Sequence, residues 1–309
     1  MTPQVVVLVP TFNRRDSLDR LLQSLDRQTL ARERFEVVIV DNNSTDGTAP
    51  TVDAFARSSR ARIRLLQEAA QGAAYARNRG VRETASPIIA STDDDVEADP
   101  RWLEEALHGL ELHCAAAVGG RTLPVWNGSL PEWWIPDYEK VFLKDLGTES
   151  RRVLPPDYFY THNIVVRREA LGRAGLFDTR LAPTGRQHLV GEDVELCRRM
   201  QENGDALYYV PEAIVRHHVD AYRLSRAFFR RRYFYRGVSY ALRNRLRGKP
   251  LEIPYRVKEL AVSIAGWLRA RDATKRFELE LALWRDIGYV AKGLEVGWKG
   301  ARRTPDERD

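Results

Sequence analysis

Val5-Val6-Val7-Leu8-Val9-Pro10 opens the stretch that decides the fold, because it is a continuous apolar run of mostly β-branched side chains that ends at a proline. Such a run is typical of a strand covered on both faces. The next segment has the spacing of one helix face, and a second apolar run, Val37-Val38-Ile39-Val40, follows it. A strand, a helix and a strand in this order predict a βαβ unit with parallel strands. The helix-face residues are Leu18, Leu21, Leu22 and Leu25.

The same alternation continues along the chain. Helices are predicted over 49–58 and 73–83, strands over 63–66 and 88–90, and a further helix and strand over 100–113 and 115–120. The fold class is therefore α/β, with a mostly parallel central sheet flanked by helices. Ligands of such sheets bind beyond the carboxyl ends of the strands. Polar residues lie at these ends, namely Thr11, Asn13, Asp41 and Asp93-Asp94-Asp95.

The second half of the chain has a less regular pattern. Residues 123–150 form an ordered loop with three tryptophans, which either closes over a ligand or anchors the loop by burial. A strand is expected over 164–166, helices over 168–174 and 192–203, and a strand over 207–210 that Pro211 ends. His217 and His218 follow that strand. The chain is then helical to near residue 300, with Pro250 and Pro254 interrupting it.

Composition narrows the class of protein. The 309 residues are 43% apolar and 30% charged, which excludes a disordered chain and a polytopic membrane protein. The start of the chain lacks the pattern of a secretory signal, and the longest weakly polar stretch, Leu260–Leu268, is too short to span a bilayer. Two isolated cysteines, Cys114 and Cys197, favour a reducing compartment. We expect a cytoplasmic protein, with peripheral attachment to the inner face of the membrane as an option.

Charge divides the chain near residue 220. Residues 1–220 contain 27 Lys and Arg against 33 Asp and Glu, a net charge of −6, whereas residues 221–309 contain 22 against 10, a net charge of +12. We therefore predict two parts, residues 1–220, where a cation could be held, and a basic helical region over 221–309. Within it, residues 221–250 either pack on the core or dock on an anionic membrane. No recognition motif supports nucleic-acid binding.

Three carboxylates at a strand end are the sharpest chemical signal. Asp93-Asp94-Asp95 follow a buried strand, where they repel one another unless a cation neutralises them. A hard divalent ion such as Mg²⁺ or Mn²⁺ suits oxygen ligands. The competing interpretation is a solvated acidic turn before the next helix.

Two weaker signals lie further along. Glu192 and Asp193 begin a helix, where they act either as capping carboxylates or as a general base. His217-His218 is either an ordinary histidine pair or the source of a further metal ligand. The fingerprints of dinucleotide-binding proteins, P-loop proteins, α/β-hydrolases and zincins are missing from the sequence.

Seven motifs in order resemble the family 2 glycosyltransferases with the GT-A fold, over about residues 5–218. The motifs are Val7-Leu8-Val9-Pro10-Thr11-Phe12-Asn13-Arg14, Val40-Asp41-Asn42-Asn43-Ser44-Thr45-Asp46-Gly47, Ala76-Arg77-Asn78-Arg79-Gly80, Asp93-Asp94-Asp95, Asn163-Ile164-Val165-Val166-Arg167-Arg168 with Gly175-Leu176-Phe177-Asp178, Gly191-Glu192-Asp193 and Tyr209-Val210-Pro211-Glu212-Ala213.

The resemblance implies a nucleotide-sugar donor (UDP-, dTDP- or GDP-linked) and a divalent metal, Mn²⁺ or Mg²⁺. It assigns the donor to Pro10, Thr11, Asn13, Arg14, Asp41, Arg77, Asp93 and Asp94. It assigns the metal to Asp93, Asp95 and His217, and the general base to Asp193. It also implies a catalytic domain over 1–220, with a nucleotide-sugar-binding half, 1–122, and an acceptor-binding half that contains the base, 123–220. The acceptor would be a hydroxyl of a glycan or of a lipid-linked saccharide, and a single displacement would invert the anomeric centre. A retaining transferase of the same fold and an inactive glycan-binding relative remain alternatives. A nucleotidyltransferase is disfavoured, because the Gly-rich Arg/Lys signature of that class is missing near the N-terminus.

Overall fold

The computed structural model describes residues 2–184 and 187–301, and side-chain surroundings as far as residue 295. Its strands are β1 (Val5–Thr11), β2 (Phe35–Asp41), β3 (Arg62–Gln67), β4 (Ile88–Ser91), β5 (Val96–Ala98), β6 (Ala117–Asn127), β7 (Arg151–Arg152), β8 (Ile164–Arg167) and β9 (Leu207–Asp220). Its α-helices are α1 (Arg15–Asp26), α2 (Thr48–Ser58), α3 (Ala73–Arg82), α4 (Trp102–Leu112), α5 (Arg168–Ala174), α6 (Glu192–Glu202), α7 (Arg226–Leu246), α8 (Ile253–Arg269) and α9 (Ala273–Ala301).

All nine strands belong to one sheet, in the order β3-β2-β1-β4-β8-β6-β9-β5, with β7 paired to β9. The first four strands of this order are parallel. Pairing becomes antiparallel from β4 to β8 and remains so between β8 and β6 and between β9 and β5. The predicted α/β class with flanking helices is confirmed, but the sheet is mixed, and its parallel part is the half that the βαβ pattern predicted.

The two central strands of the parallel half, β1 and β2, are buried on both faces, whereas the edge strand β3 is partly exposed. Every residue of β1 and β2 is buried. On one side α1 contributes its predicted face of Leu18, Leu21, Leu22 and Leu25, each at most 1% exposed. Burial on both faces explains why these strands read as continuous apolar runs. Strand β1 lies between β2 and β4 in the sheet, so the carboxyl ends of β1 and β4 are neighbours. The strand order reverses at this point, where α/β sheets usually bind ligands.

The prediction that Pro211 ends the last strand is wrong. Strand β9 continues through Pro211 to Asp220, so that His217 lies within the strand and pairs with Val96 of β5. Strand β7 pairs with β9 at Tyr208 and Tyr209, and β5 pairs with it at Val215 to His217. Pro211 lies between these two pairings, where a missing backbone N–H disrupts neither of them.

Two compact units divide the chain. The first contains 1–127, 136–180 and 192–219, and it holds the sheet with α1 to α6. The second contains Gly128–Ile135, Leu181–Gly191 and the chain from Asp220 onward. The predicted half 123–220 therefore includes two segments that belong with the C-terminal helices.

The first of these segments, Gly128–Ile135, joins the second unit through aromatic contacts. The Trp133 ring contacts Phe277 at a centroid distance of 4.8 Å and Phe229 at 5.7 Å, and the guanidinium of Arg226 lies 5.6 Å from the Trp133 ring. These contacts favour the interpretation of the tryptophan loop as an anchored segment. In the first unit, Trp126 packs edge-on against Phe142.

Helix α7, the most basic part of the predicted membrane segment 221–250, packs within the second unit. Five apolar side chains at helical spacing in this segment are buried or half-buried, namely Leu224, which precedes the helix, and Phe228, Tyr235, Val238 and Leu242. Its backbone approaches α9 closely, since a Cβ atom at Gly237 would lie 1.8 Å from the carbonyl oxygen of Arg285. None of the helices within the described residues combines the length and hydropathy that a membrane span requires.

Candidate active site

The loops after β1 and β2 are tied to each other. Asn13, with a φ of 51°, accepts a hydrogen bond from the Thr45 N–H at 2.7 Å, and the Ser44 hydroxyl accepts one from the Asn13 N–H at 2.9 Å. Asparagine tolerates this left-handed conformation better than most residues. Asp41, 2% exposed at the end of β2, accepts hydrogen bonds from the Ser44 N–H and the Gln67 amide. Pro10 is buried in β1 opposite Val40.

The second and third carboxylates of the acidic run meet the end of β1. Asp94 accepts a hydrogen bond from the Thr11 hydroxyl at 2.9 Å, and the Arg14 guanidinium lies 3.2 Å from Asp94 and 2.5 Å from Asp95. Burial raises the pKa of Asp94 to about 7, although the positive charge of Arg14 opposes the shift. Asp94 thus connects the acidic run to Thr11 and Arg14 at the end of β1.

Two stacked histidines lie beside Asp95. The Nε2 atom of His217 is 3.5 Å from Asp95 Oδ2, and its Nδ1 atom is 3.0 Å from the carbonyl oxygen of Phe142. Because a carbonyl only accepts hydrogen bonds, Nδ1 carries a proton and Nε2 faces the carboxylate. The His162 ring stacks on His217 at a centroid distance of 5.2 Å. Burial lowers the pKa of His162 to about 4, and the nearby His217 adds to the shift.

The first carboxylate of the run has a different partner. Asp93 pairs with Arg77 of α3 at 2.5 Å, and the same guanidinium lies 3.6 Å from Glu192 in the first turn of α6. Arg77 is only 2% exposed, so its charge requires these carboxylates. One buried arginine thus brings the exit of β4 next to the start of α6.

The carboxylates that begin α6 differ in burial. Asp193 is half-buried, and its Oδ1 atom accepts a hydrogen bond from the Val194 N–H at 2.7 Å. Glu192 is buried, which raises its pKa to about 7; the negative charge of Asp193 adds to this shift and Arg77 opposes it. The half-buried carboxylate is the one that solvent and ligands can reach.

The structure thus places the residues assigned by the resemblance in one compact unit but in separate groups. Thr11, Arg14, Asp94, Asp95 and His217 form one group, and Arg77 and Asp93 join the start of α6. The predicted trio Asp93, Asp95 and His217 is not brought together, because Asp93 is held by Arg77. Among residues 2–184 and 187–301, no group of three or more His, Cys, Asp or Glu side chains is arranged to hold a metal ion.

Sequence reasoning missed two residues of this site. His162 carries no motif signal of its own, and only the fold stacks it on His217. Glu192 was predicted, together with Asp193, to be a capping carboxylate or a general base, and its contact with the buried Arg77 was not predicted, although a buried carboxylate beside an arginine is a common feature of functional sites. The available signal for His162 was its position two residues before the apolar strand 164–166.

The chain is similar in sequence to known glycosyltransferases. The sequence model of the family described as glycosyl transferase family 2 matches residues 6–174, more than half of the chain. The glycosyltransferase AglE of Haloferax volcanii is 25% identical over 98% of this chain and 86% of its own length. A glucosyl-dolichyl phosphate glucuronosyltransferase of the same organism is 26% identical over 77% of this chain and 76% of its own length. The chain spans only about half the length of several other relatives that it matches.

A solved structure supports the same assignment of fold. The mannosyltransferase PcManGT of Pyrobaculum calidifontis, solved in complex with GDP-Man and Mn²⁺, aligns with a TM-score of 0.59 over 98% of this chain and 77% of its own, at 22% identity. At that identity the likeness establishes the GT-A fold. The chain therefore belongs to glycosyl transferase family 2 and is a glycosyltransferase.

Proposed function

We propose that this glycosyltransferase moves a sugar from a nucleoside diphosphate to a hydroxyl of a glycan or lipid-linked saccharide, with the aid of a divalent cation and with inversion of the anomeric centre. The observation that carries the proposal is the bridge made by Arg77. It joins the carboxylate run after β4 to the carboxylates that begin α6. A donor diphosphate and an acceptor hydroxyl would meet between these groups.

The nucleoside part of the donor is proposed to bind the loops after β1 and β2. Thr11, Asn13 and Asp41 lie there with their polar atoms fixed by hydrogen bonds, as a preorganised binding site requires. Pro10 would shape the wall of this site, and Arg14 and Arg77 would attract the diphosphate. UDP, dTDP and GDP donors all fit this description, and the relative solved with GDP-Man supports a nucleotide sugar in general.

Asp95, which follows β4, and His217 of β9 provide two atoms that could coordinate a hard cation with few protein ligands. Asp95 Oδ2 and His217 Nε2 are 3.5 Å apart, close to the ~3 Å that separates neighbouring ligands in an octahedral site with bonds of about 2.1 Å. The same oxygen is paired with Arg14 at 2.5 Å, so a cation would bind there only when this guanidinium moves away, for example to the donor diphosphate. Mg²⁺ usually binds one or two carboxylates together with substrate phosphates, so a three-residue protein cage is not required. The hydrogen bond from His217 Nδ1 to Phe142 fixes the ring orientation that such a ligand needs. A bound Mn²⁺ or Mg²⁺ would neutralise charge on the departing diphosphate.

Asp193 is proposed to act as the general base. Its half-buried carboxylate would accept the proton of the acceptor hydroxyl as that oxygen bonds to the anomeric carbon, while the bond to the diphosphate breaks on the opposite face. A positioned base contributes about 10²–10⁴-fold to the rate. Arg77 holds Asp93 and Glu192 in place and Asn78 holds the chain at Phe177 through two hydrogen bonds, so the floor of the site stays rigid.

The acceptor class and the location of the protein rest on two observations. The relative that acts on a glucosyl-dolichyl phosphate favours a lipid-linked acceptor. Cys114 and Cys197 are both free thiols, which suits a reducing compartment such as the cytoplasm. Transfer at the inner face of a membrane would satisfy both observations.

Two substitutions test the roles of the carboxylates. Asp193→Asn should reduce transfer by at least about 10²-fold while leaving the Kd for nucleotide unchanged, because only proton removal is lost. Asp95→Ala should weaken Mn²⁺-dependent nucleotide binding itself. Turnover assays and calorimetric titration with UDP and GDP in the presence of Mn²⁺ separate the two effects. An exchange of the two phenotypes would contradict the assignment.

The stereochemistry of the product tests the mechanism. NMR of the newly formed anomeric centre should show inversion relative to the donor. Retention of the anomeric configuration would contradict the single displacement and favour a retaining transferase of the same fold. A complete lack of turnover with all UDP-, dTDP- and GDP-sugars and acceptors would favour the glycan-binding alternative.

A further inference from the structure

Helix α8 (Ile253–Arg269) presents an apolar face to solvent. Leu268 is 68% exposed, Val262 is 59% exposed and Val257 is 49% exposed. Val257, Ile264 and Leu268 lie seven and four positions apart, with the exposed Ala261 between them, so they form a continuous stripe along the helix. A helix of a water-surrounded protein normally presents polar residues there.

The face of α8 that packs on α9 adjoins this stripe and is already occupied. The Arg256 guanidinium lies 3.3 Å from the fully buried Asp286 of α9 and 5.0 Å from the centre of the Tyr289 ring. Ser263 is buried, and Ile253 lies beside Gly293 of α9. The exposed stripe is therefore a second apolar surface rather than the packing face of the helix, and a continuous apolar surface of this kind marks an interaction site.

Cations accompany the apolar stripe. Lys258 and Arg269 are both exposed and lie beside it on the same side of α8. Residues 247–271 contain six Lys and Arg against two Asp and Glu. An apolar helix face bordered by Lys and Arg is the pattern of a helix that lies in the interface of an anionic bilayer. The long aliphatic stems of both cations can reach the lipid phosphates from that depth.

Other occupants fit the surface less well. Two copies of α8 packed on each other would bring cations together, which is unfavourable. Residues 302–309, Arg-Arg-Thr-Pro-Asp-Glu-Arg-Asp, include no large apolar side chain that could cover the stripe. Helix α9 also exposes Trp284, Ile287 and Leu294, but the exposed Glu295 follows that row.

We propose that α8 docks this protein on an anionic phospholipid surface, with the stripe of Val257, Ala261, Ile264 and Leu268 at the acyl boundary. Lys258 and Arg269 contact the lipid phosphates. The docking element thus differs from residues 221–250, whose apolar face packs inside the protein. The proposal goes beyond sugar transfer and does not depend on it.

Flotation with lipid vesicles tests the proposal. The full chain is mixed with vesicles of phosphatidylcholine alone or with about 30 mol% phosphatidylglycerol, at about 0.05 and about 0.5 M NaCl. We expect binding to the anionic vesicles that weakens at high salt. The double variant Ile264→Asn/Leu268→Ser should lower the partition coefficient at least about tenfold, and Lys258→Glu/Arg269→Glu should lower binding to anionic vesicles only.

Matched controls separate docking from damage. Leu112→Ser removes a similarly exposed leucine (64%) from α4 and should leave vesicle binding unchanged. Arg231→Glu/Arg236→Glu removes two exposed cations from α7 and should have a smaller effect than the α8 charge variant. Thermal unfolding establishes that each variant is folded.

Three outcomes would overturn the proposal. The first is no binding of the parent chain to anionic vesicles. The second is binding that the α8 variants leave unchanged. The third is a dimer in light scattering that Ile264→Asn/Leu268→Ser converts to a monomer, since the stripe would then bind a second copy of the chain.

Discussion

A single buried arginine connects the two sets of carboxylates at the site. Arg77 is 2% exposed and contacts Asp93 and Glu192. Removing one partner from such a buried cluster leaves an uncompensated charge, which is far more costly than losing an exposed ion pair. The pKa of Glu192 near 7 reflects this balance, because burial disfavours its charge more than Arg77 favours it.

Glu192 should make stability depend on pH. Its pKa of about 7 in the folded protein lies above the ordinary value of 4.5, so its contribution is fully present below about pH 4.5 and is lost as the pH rises through 7. Glu192→Gln removes this titration, and the fall in Tm between pH 5 and pH 8 should become smaller. Asp94, whose pKa is also about 7, retains part of the fall. Equal falls in parent and variant would contradict the burial of the charge.

The two cysteines should differ in reactivity. Cys114 is exposed, whereas Cys197 is buried and burial raises the pKa of its thiol to about 12. Since the thiolate is the reactive form, a thiol reagent at pH 8 should modify one cysteine per folded chain and two in denaturant. Mass spectrometry identifies the modified residue. Rapid modification of Cys197 in the folded chain would contradict its burial.

At the scale of elements, helices α7 and α9 meet through two glycines. A Cβ atom at Gly237 would lie 1.8 Å from the carbonyl oxygen of Arg285, and one at Gly288 would lie 2.1 Å from that of Phe234. Real side chains do not approach backbone atoms so closely, so the two helices pack at this distance only because both positions lack a side chain.

Gly237→Ala should therefore destabilise the protein. The added methyl group forces α7 away from α9, and overpacking of this kind costs about 1–3 kcal/mol or more. The matched control is Gly172→Ala in α5, where a Cβ atom would meet nothing within 4 Å. There the gain in helix propensity should stabilise the protein by about 0.5–1 kcal/mol. Denaturant unfolding measures both, and equal effects would show that the close helix contact is not formed.

At the scale of the whole molecule, ligand binding should be visible as stability. A nucleotide sugar at about 100 times its Kd should add about 2.7 kcal/mol to the free energy of unfolding. We expect this gain for one class of UDP-, GDP- or dTDP-sugar, and only when Mn²⁺ or Mg²⁺ is present. Thermal unfolding of the parent chain and of Asp95→Ala measures it. A gain in Asp95→Ala equal to that of the parent would remove Asp95 from the metal site.

The sequence by itself determined the parallel half of the sheet. Strands β1 and β2 are buried on both faces, so their central residues are apolar without interruption. The helix between them has apolar residues at the spacing of one helix face. These patterns are local, so they can be recognised in the sequence without knowledge of the tertiary contacts. The positions of the polar residues at strand ends followed directly, because parallel strands expose their carboxyl ends at one edge.

Only the tertiary structure decided which polar residues meet. His162 and His217 stack on each other although they are far apart in sequence. Because a proline usually ends a strand, Pro211 led to the wrong prediction that His217 lies outside β9. Asp93 and Asp95 look equivalent in the sequence, yet one pairs with Arg77 and the other lies beside His217. Contacts between distant segments depend on strand order and helix packing, which no local periodicity encodes. The sequence also did not determine which face of α8 is exposed, because the burial of a helix face depends on the elements that pack against it.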